Sequence, residues 1–590
     1  MNEQKIQYLK DNYKFFGLGS LIYGIIYAVL LYKNPESFTF PIVIAITLAI
    51  CVFVLKKFKL PIKKEGYFLM MVIQLLAIAV CLTENQKIII YNKVAIFLLL
   101  FFFMMEQVYN TKGWRVGQNL GKLFMRMINI FVYYGKPWTH LFSFGMGKEK
   151  EKNKNRKYIV IGLGISIPLV LIVCGLLASA DRVFESFFNW IFENMLSVDA
   201  ILIIFLAIVA YSLMYSFICS SVTISEKATS KDCETYEDYE SKKLPTMVAV
   251  TFTTIIAVIY IAFCVLQISY LFNGYSDGLT YSQFAREGFF ELLFVSAINL
   301  IMVVVCIELF EKSKALDIVL IIISICTYIL IGSSAYRMLL YVEAYELTFS
   351  RMFVLWFLAV LTIWMTGAII YIKKRDWNYF KFSICVMAAM YLIFVYINPD
   401  RLIIKYNIAH TAELKQEDID FFCKELESKV VMPEIENMRV KFAPDEEEGI
   451  ETILTKYQEG IVRNVEGMSL RETNFAKKSA YNKAKATVGE AKKLAKYELT
   501  HDEETYDEKV YYEGKTYYQF GYSQGDVKGI EIGYINDEKK VYSVKGRNPQ
   551  EWIYSYEEWA MGSGVGYLYK TKDADTPDEL ELFRAYSYEE

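Results

Sequence analysis

Residues 244–276 read LPTMVAVTFTTIIAVIYIAFCVLQISYLFNGYS, and no charged side chain interrupts them. A helix rises about 1.5 Å per residue, so roughly 20 apolar residues cross the hydrocarbon core of a bilayer. This run is longer than that, so it can tilt or extend beyond the membrane. Tyr158–Ala180 and Ala200–Ser225 are equally free of charge. Working outward, apolar runs predict spans at 15–32, 38–55, 67–83, 88–105, 158–177, 200–221, 247–272, 290–310, 316–333, 352–372 and 380–397. Lys93 lies near the start of the fourth, where a lysine can snorkel to the interface. The fold class that follows is an all-α polytopic membrane bundle of about eleven transmembrane helices, 1–397, followed by a small α+β C-terminal region.

Charge divides the chain at the same place. Residues 1–397 carry 36 basic and 27 acidic side chains, a net of +9, whereas residues 398–590 carry 27 and 39, a net of −12. The overall −3 hides two physically different parts. Lys5, Lys10 and Lys14 precede the first apolar run like the basic region of a signal peptide. No small-residue cleavage site follows Tyr32, where the sequence reads KNPESF, so an uncleaved signal anchor is expected.

Loop charges set the expected orientation. Lys and Arg in alternate segments between spans total 28 on one side and 6 on the other. Positive loops stay in the cytoplasm, so the N-terminus is expected inside and, after eleven crossings, the C-terminal region outside. Residues 119–144 could alter the count. There Leu120, Leu123, Phe124, Met127, Ile128 and Phe131 form one helical face, with Lys122, Arg126 and Asn129 opposite. That periodicity predicts an amphipathic helix on the inner leaflet, with Trp138 at the interface, in preference to a twelfth span. The basic run KEKEKNKNRK at 148–157 is expected to meet anionic lipid there. Nucleic acid is not an expected partner, because the run lacks interleaved aromatics.

Charged residues near a membrane are costly and therefore informative. Four clusters stand out, all on the outer face by the charge-derived topology. SADRVFESFFNWIFENM supplies Asp181, Arg182 and Glu185; YSQFAREGFFELL supplies Arg286 and Glu287. YRMLLYVEAYELTFSR supplies Arg337, Glu343 and Arg351; NPDRLIIKYNIAH supplies Asn398 and Asp400. Ion pairs that lock helix ends and a ligand site both fit such a set. Arg286, Glu287, Arg337, Glu343 and Asp400 are expected to converge.

The same blocks resemble a bacterial family known as a domain of unknown function (DUF 4173, related to DUF 4153). The resemblance runs in order from about residue 150 to 435 and includes IDFFCKELESKVVMPEI after the last span. It implies a polytopic bacterial membrane protein and assigns no activity. The family's usual residue is Gly where this chain has Glu346, and often Pro where it has Arg182.

No chemistry-bearing motif accompanies these clusters. The ten cysteines contain no CxxC, and His140, His410 and His501 are far apart in sequence, so neither a metal nor a cofactor is expected. GSGVG at 562–566 lacks the Lys-Ser/Thr ending of a phosphate loop and reads as a turn. Residues 398–440 read as a membrane-proximal helical segment and 441–504 as a charged helical stalk or linker. Residues 505–590 read as a small β-rich module, because VYYEGKTYYQFGYSQGDVKGIEIGYINDEKKVYSV alternates β-prone runs with Gly, Asn and Asp. The favoured function is a non-enzymatic cell-envelope protein for sensing, scaffolding or assembly, multi-pass in the cell membrane, with an envelope protein as partner. A small-solute or ion permease is the alternative, although the span interiors hold almost no charge. A membrane enzyme acting on a lipid-linked substrate is the third reading. Glu287, Glu343 and Asp400 would then be its carboxylates, and Arg286 or Arg337 its phosphate binders.

Overall fold

The computed structural model describes residues 2–109, 111, 114–145, 166, 173, 198–223, 243–273, 289–488, 495–501, 508–512, 514–523, 527–535, 539–544, 547–558, 564–576 and 580. Among them, ten helices are long and apolar enough to cross a membrane. A short helix α1 (Asn2–Asp11) precedes α2 (Tyr13–Leu31), α3 (Thr39–Lys57), α4 (Lys64–Cys81) and α5 (Gln86–Val108). Helices α6 (Val116–Val132) and α7 (Lys136–Gly145) are shorter. Then come α8 (Val198–Val222), α9 (Thr246–Asn273), α10 (Phe289–Leu309), α11 (Lys314–Tyr345), α12 (Phe349–Lys373) and α13 (Tyr379–Ile397). Each apolar helix falls on one of the expected spans. The remaining expected span, 158–177, lies outside the described residues.

Side-chain caps start several of these helices. The carboxamide oxygens of Asn85 and Asn378 and the hydroxyl of Ser313 accept backbone N–H groups in the first turns of α5, α13 and α11. Inside the bundle, hydroxyls return to the backbone four residues earlier, as Ser296 does to Leu292 and Thr327 to Ile323. Polar pairs then tie helices together: Tyr391 donates to Asn92 Oδ1 at 2.8 Å, and Asn299 Nδ2 donates to Thr327 Oγ1 at 3.0 Å. Small residues bring backbones close. A Cβ on Gly24 would stand 2.5 Å from the Ala207 carbonyl oxygen, so only glycine lets α2 lie this near α8. The outward face is apolar, with Val258, Ile259, Phe294 and Ile301 all exposed.

Contacts at the helix termini define two ends of the bundle. At one end Lys33, just after α2, pairs with Asp199 at the start of α8 (2.9 Å). At the other, Lys381 at the start of α13 reaches Glu65 (2.9 Å) and the buried Glu106 (3.0 Å), which also accepts from Thr111 Oγ1. Helix α5 therefore ends, and α8 begins, at opposite ends of the bundle. Helix α11 has 32 residues, about 48 Å of helix, and overruns a core of about 30 Å.

Amphipathic α6 turns its polar stripe inward. Asn119 and Arg126 are buried, while Leu120, Phe124, Ile128 and Phe131 are exposed. The Arg126 guanidinium donates to the Ser221 carbonyl at 2.8 Å, and Ser220 Oγ donates to the Arg126 carbonyl at 2.7 Å, fastening α6 to α8.

Beyond the last span, α14 (Pro399–His410), α15 (Gln416–Glu425), α16 (Ser428–Val431), α17 (Ile435–Arg439), α18 (Glu447–Val465) and α19 (Phe475–Val488) follow. The chain divides into compact units after Thr487, so most of the charged 441–504 stretch folds with the helical unit. Its loop docks on the bundle: Asn474 Nδ2 donates to the carbonyls of Glu36 and Thr83, both at 3.1 Å.

The second unit is a closed barrel of seven strands. They are β1 (Ala495–His501), β2 (Glu508–Tyr512), β3 (Lys515–Ser523), β4 (Lys528–Ile535), β5 (Lys539–Val544), β6 (Trp552–Glu558) and β7 (Gly564–Thr571). The order is β1-β2-β3-β7-β6-β5-β4, antiparallel throughout except where β1 and β4 close the barrel in parallel. Each strand gives one residue to a shared interior: Tyr497, Val510, Tyr517, Ile535, Val541, Ile553 and Tyr569. Their sequence neighbours Tyr542, Trp552, Tyr554 and Leu568 face the other way, as period-two alternation requires, into a second cluster with Ala574 and Leu580. Residues 562–566 are not simply a turn. Gly564–Gly566 open β7, and the missing Cβ of Gly566 leaves room for the Tyr554 ring.

Candidate functional site

Three short segments, distant in sequence, meet at the end of the bundle where α13 finishes. They are Thr83–Gln86 between α4 and α5, Asn398–Arg401 between α13 and α14, and Glu427–Lys429 at the start of α16. Asn398 adopts φ +60°, a left-handed conformation that asparagine tolerates better than most side chains. Pro399 then opens α14 with its fixed φ, and Asn398 Oδ1 caps it by accepting from Arg401 N at 3.1 Å. The corner delivers Asp400 to the interior, fully buried.

Buried carboxylates must be satisfied by donors. The Asn85 carboxamide donates to both Asp400 oxygens, at 2.9 and 3.0 Å, and Glu427 N donates to Oδ2 at 3.2 Å. Glu427, itself 3% exposed, accepts from Glu84 N (3.2 Å) and Asn85 N (3.3 Å) on one oxygen. Its other oxygen takes Asn398 Nδ2 (3.2 Å) and Lys429 Nζ (2.9 Å). Lys429 also donates to the Leu82 carbonyl. Glu84 returns the contact by accepting from Ser428 N (3.1 Å) and Oγ (2.5 Å).

Electrostatics here are strained in one respect. Burial, and next the charge of Glu427, push the Asp400 carboxyl up to about 7, while Asn85, Glu427 N and Lys429 pull the other way. Asp400 and Glu427 thus lie side by side, and among the described residues only Glu427 of the two is bonded to an ammonium, that of Lys429. Two clefts flank it. One, of about 340 Å³, is bordered by Asn398, Arg401, Lys429 and Ser479. The other, of about 420 Å³, is bordered by Glu84, Ser428, Tyr457 and Lys477.

The residues expected to form an outer cluster fare differently. Asn398 and Asp400 come together. Arg337 is largely buried in α11, with Nη2 3.5 Å from Gln267 Oε1, which also accepts from Ser333 Oγ at 2.8 Å. Glu343 is exposed. Arg351 donates to the carbonyls of Tyr345 and Glu346 and stacks 4.5 Å from the Tyr341 ring centroid. Asp181, Arg182, Glu185, Arg286 and Glu287 lie outside the described residues. Sequence reasoning missed Asn85, Glu84 and Glu427, the partners that complete the Asp400 network. The available signals were weak: a polar TEN in a loop of a few residues, and ESK following the charged, amphipathic α15. Among the described residues, no group of three or more His, Cys, Asp or Glu is placed to hold a metal ion.

Neither a curated protein nor a solved structure matches this chain. A family model does: the Domain of unknown function (DUF4153) matches residues 70–436, a stretch that contains all three segments of the Asp400 network and most of the predicted spans. The chain therefore belongs to the DUF4153 family.

Proposed function

We propose that this chain is a non-enzymatic cell-envelope protein whose bundle is a rigid platform for scaffolding, sensing or assembly outside the membrane. One observation carries the reading: all four oxygens of Asp400 and Glu427 already have donors from within the chain. A general base or nucleophile needs a carboxylate oxygen open to substrate. Here the pair instead bolts three segments together. The proposed orientation puts this end and the barrel outside the cell. The loops at the opposite end support it, since Lys56, Lys57, Lys59, Lys63, Lys64, Lys373, Lys374 and Arg375 all lie there.

Full-length protein reconstituted in vesicles tests the reading. Proton and small-ion flux should equal that of empty vesicles, and Asp400→Ala should lower the yield of folded protein. Flux above background that Asp400→Asn abolishes, with folding intact, would replace this reading with a permease.

A further inference from the structure

At the end of the bundle opposite Asp400, α1 and α7 enclose a cleft of about 880 Å³. Lys10 enters it from α1 and Lys136 from α7, both half-buried, and among the described residues neither ammonium pairs with a carboxylate. Gln4 supplies a further donor, whereas the Thr139 and Ser143 hydroxyls already donate to the carbonyls of Lys136 and Thr139, both at 3.0 Å. Asp11 is the one carboxylate among the described lining residues, and its Oδ1 is taken by Gln7 Nε2 at 2.7 Å. His140 adds no charge. Burial, then Lys136 and Lys10, hold its pKa down at about 4, while its Nδ1 meets Tyr215 OH at 2.7 Å.

Positive charge extends along the neighbouring flank. Lys5, Lys57 and Lys59 border a second cleft of about 410 Å³, which shares Gln4 and Tyr8 with the first. Burial and next the charge of Arg126 lower the Lys5 pKa. Arg126 is 4% exposed and lies 4.7 Å from the Tyr109 ring centroid, and among the described residues its Nε and Nη2 have no hydrogen-bond partner. Cations gathered this way repel each other, and a bound anion relieves that repulsion. The exposed apolar stripe of α6, carried on the same part of the bundle, belongs at a lipid interface, which sets the depth at which headgroup phosphates lie.

We propose that the α1–α7 cleft binds a phosphate-bearing anion, with Lys10 and Lys136 as its charged clamps and the Gln4 carboxamide as a hydrogen-bond donor. Ammonium groups bind phosphate as point charges, and the bonds are charge-assisted. A membrane phospholipid and a soluble phosphate share this chemistry. The inference stands apart from the reading of the Asp400 network.

The test uses full-length protein in a neutral detergent, with thermal unfolding followed by fluorescence-detected gel filtration. A ligand that binds the folded state raises the unfolding temperature by an amount that grows with ln(1 + L/Kd), where L is the free ligand concentration. Phosphatidylglycerol should stabilise the protein where phosphatidylcholine does not, and K10Q/K136Q should raise the concentration needed for a given rise in unfolding temperature at least tenfold. A control, K314Q/K374Q, removes two exposed lysines at the same end and should behave as the parent. If inorganic phosphate at matched ionic strength stabilises the parent as well, the soluble anion is a source; if only the lipid does, the membrane is. The single variant K136Q gives a second measure and should weaken the response at least threefold. No preference for either anion, a K10Q/K136Q response equal to the parent, or an equal loss in the control would overturn the proposal.

Discussion

Asp400→Asn separates the charge of the buried carboxylate from its shape. In the folded chain the carboxyl stands at about 7 against an ordinary 3.8, so folding tightens its hold on a proton. The stabilisation from that proton is complete below the ordinary value and is lost as pH rises through the folded value. Each pH unit between the ordinary value and about 7 removes about 1.4 kcal/mol, and above 7, where both states are ionised, the loss levels off. Between about pH 5.5 and about pH 8.5 the folded state therefore loses roughly 2 kcal/mol through this one group. The asparagine cannot ionise and escapes that loss. It gives up one acceptor oxygen facing Asn85 or Glu427 N, worth about 1 kcal/mol. The variant should then be less stable than the parent only below about pH 4.5 and more stable above it, with the gap widening up to about pH 7 and constant beyond. Unfolding in detergent over a pH series, with both proteins measured side by side, cancels the titration of every other group. A stability difference that stays flat across the series would refute the argument, because the buried charge would then carry no cost.

Three further outcomes are expected. Glu346 closes α11 at φ +68° and ψ 171°, a region almost reserved for glycine, so Glu346→Gly should stabilise the protein by about 1 kcal/mol despite losing the Thr411 hydrogen bond; a lower unfolding temperature would show that the strain is absent. Residues 488–590 alone should express as a soluble piece with a β-type circular dichroism spectrum, and Ile553→Asp, which puts a charge in the barrel interior, should unfold it; a helical or featureless parent spectrum would contradict the closed barrel. A reporter enzyme that works only in the cytoplasm should be silent when fused after Glu590, whereas strong activity would reverse the proposed orientation.

The bundle was readable because its signal is one-dimensional. A run such as 244–276 has no soluble alternative of comparable stability, and its position needs no knowledge of neighbours. The polar stripe of α6 was readable for the same reason, since its period is local. The Asp400 network was half readable. NPD declares itself, because Asn tolerates left-handed backbone and Pro can open a helix. Its partners do not, because Asn85 and Glu427 lie 315 and 27 residues from Asp400 in the chain. Nothing local distinguishes a glutamate that will be buried from one that stays in water. The family resemblance noted a usual Gly at 346, and the backbone supplies the reason in its positive φ.

The β character of the C-terminal module was readable, but its closure into a barrel was not, for a different physical reason. Strand prediction rests on alternation between an apolar face and a polar one. Here both faces are covered, the inner by the barrel itself and the outer, in part, by the segment bearing Ala574 and Leu580. Tyrosine serves on each: Tyr497, Tyr517 and Tyr569 inside, Tyr542 and Tyr554 outside. A phenol carries enough apolar surface for a core and a hydroxyl that still needs a partner. Tyr517 finds the Pro549 carbonyl at 3.2 Å and Tyr554 the Ser523 carbonyl at 2.8 Å. Tyrosine rings therefore share the core with Val and Ile, and their hydroxyls are tethered to carbonyls in the β5–β6 connection (Pro549) and at the end of β3 (Ser523). That arrangement makes the hydroxyls specific as well as apolar in their packing. Replacing an interior ring by Phe keeps the volume and strands a carbonyl, so register, more than burial, is what these tyrosines hold.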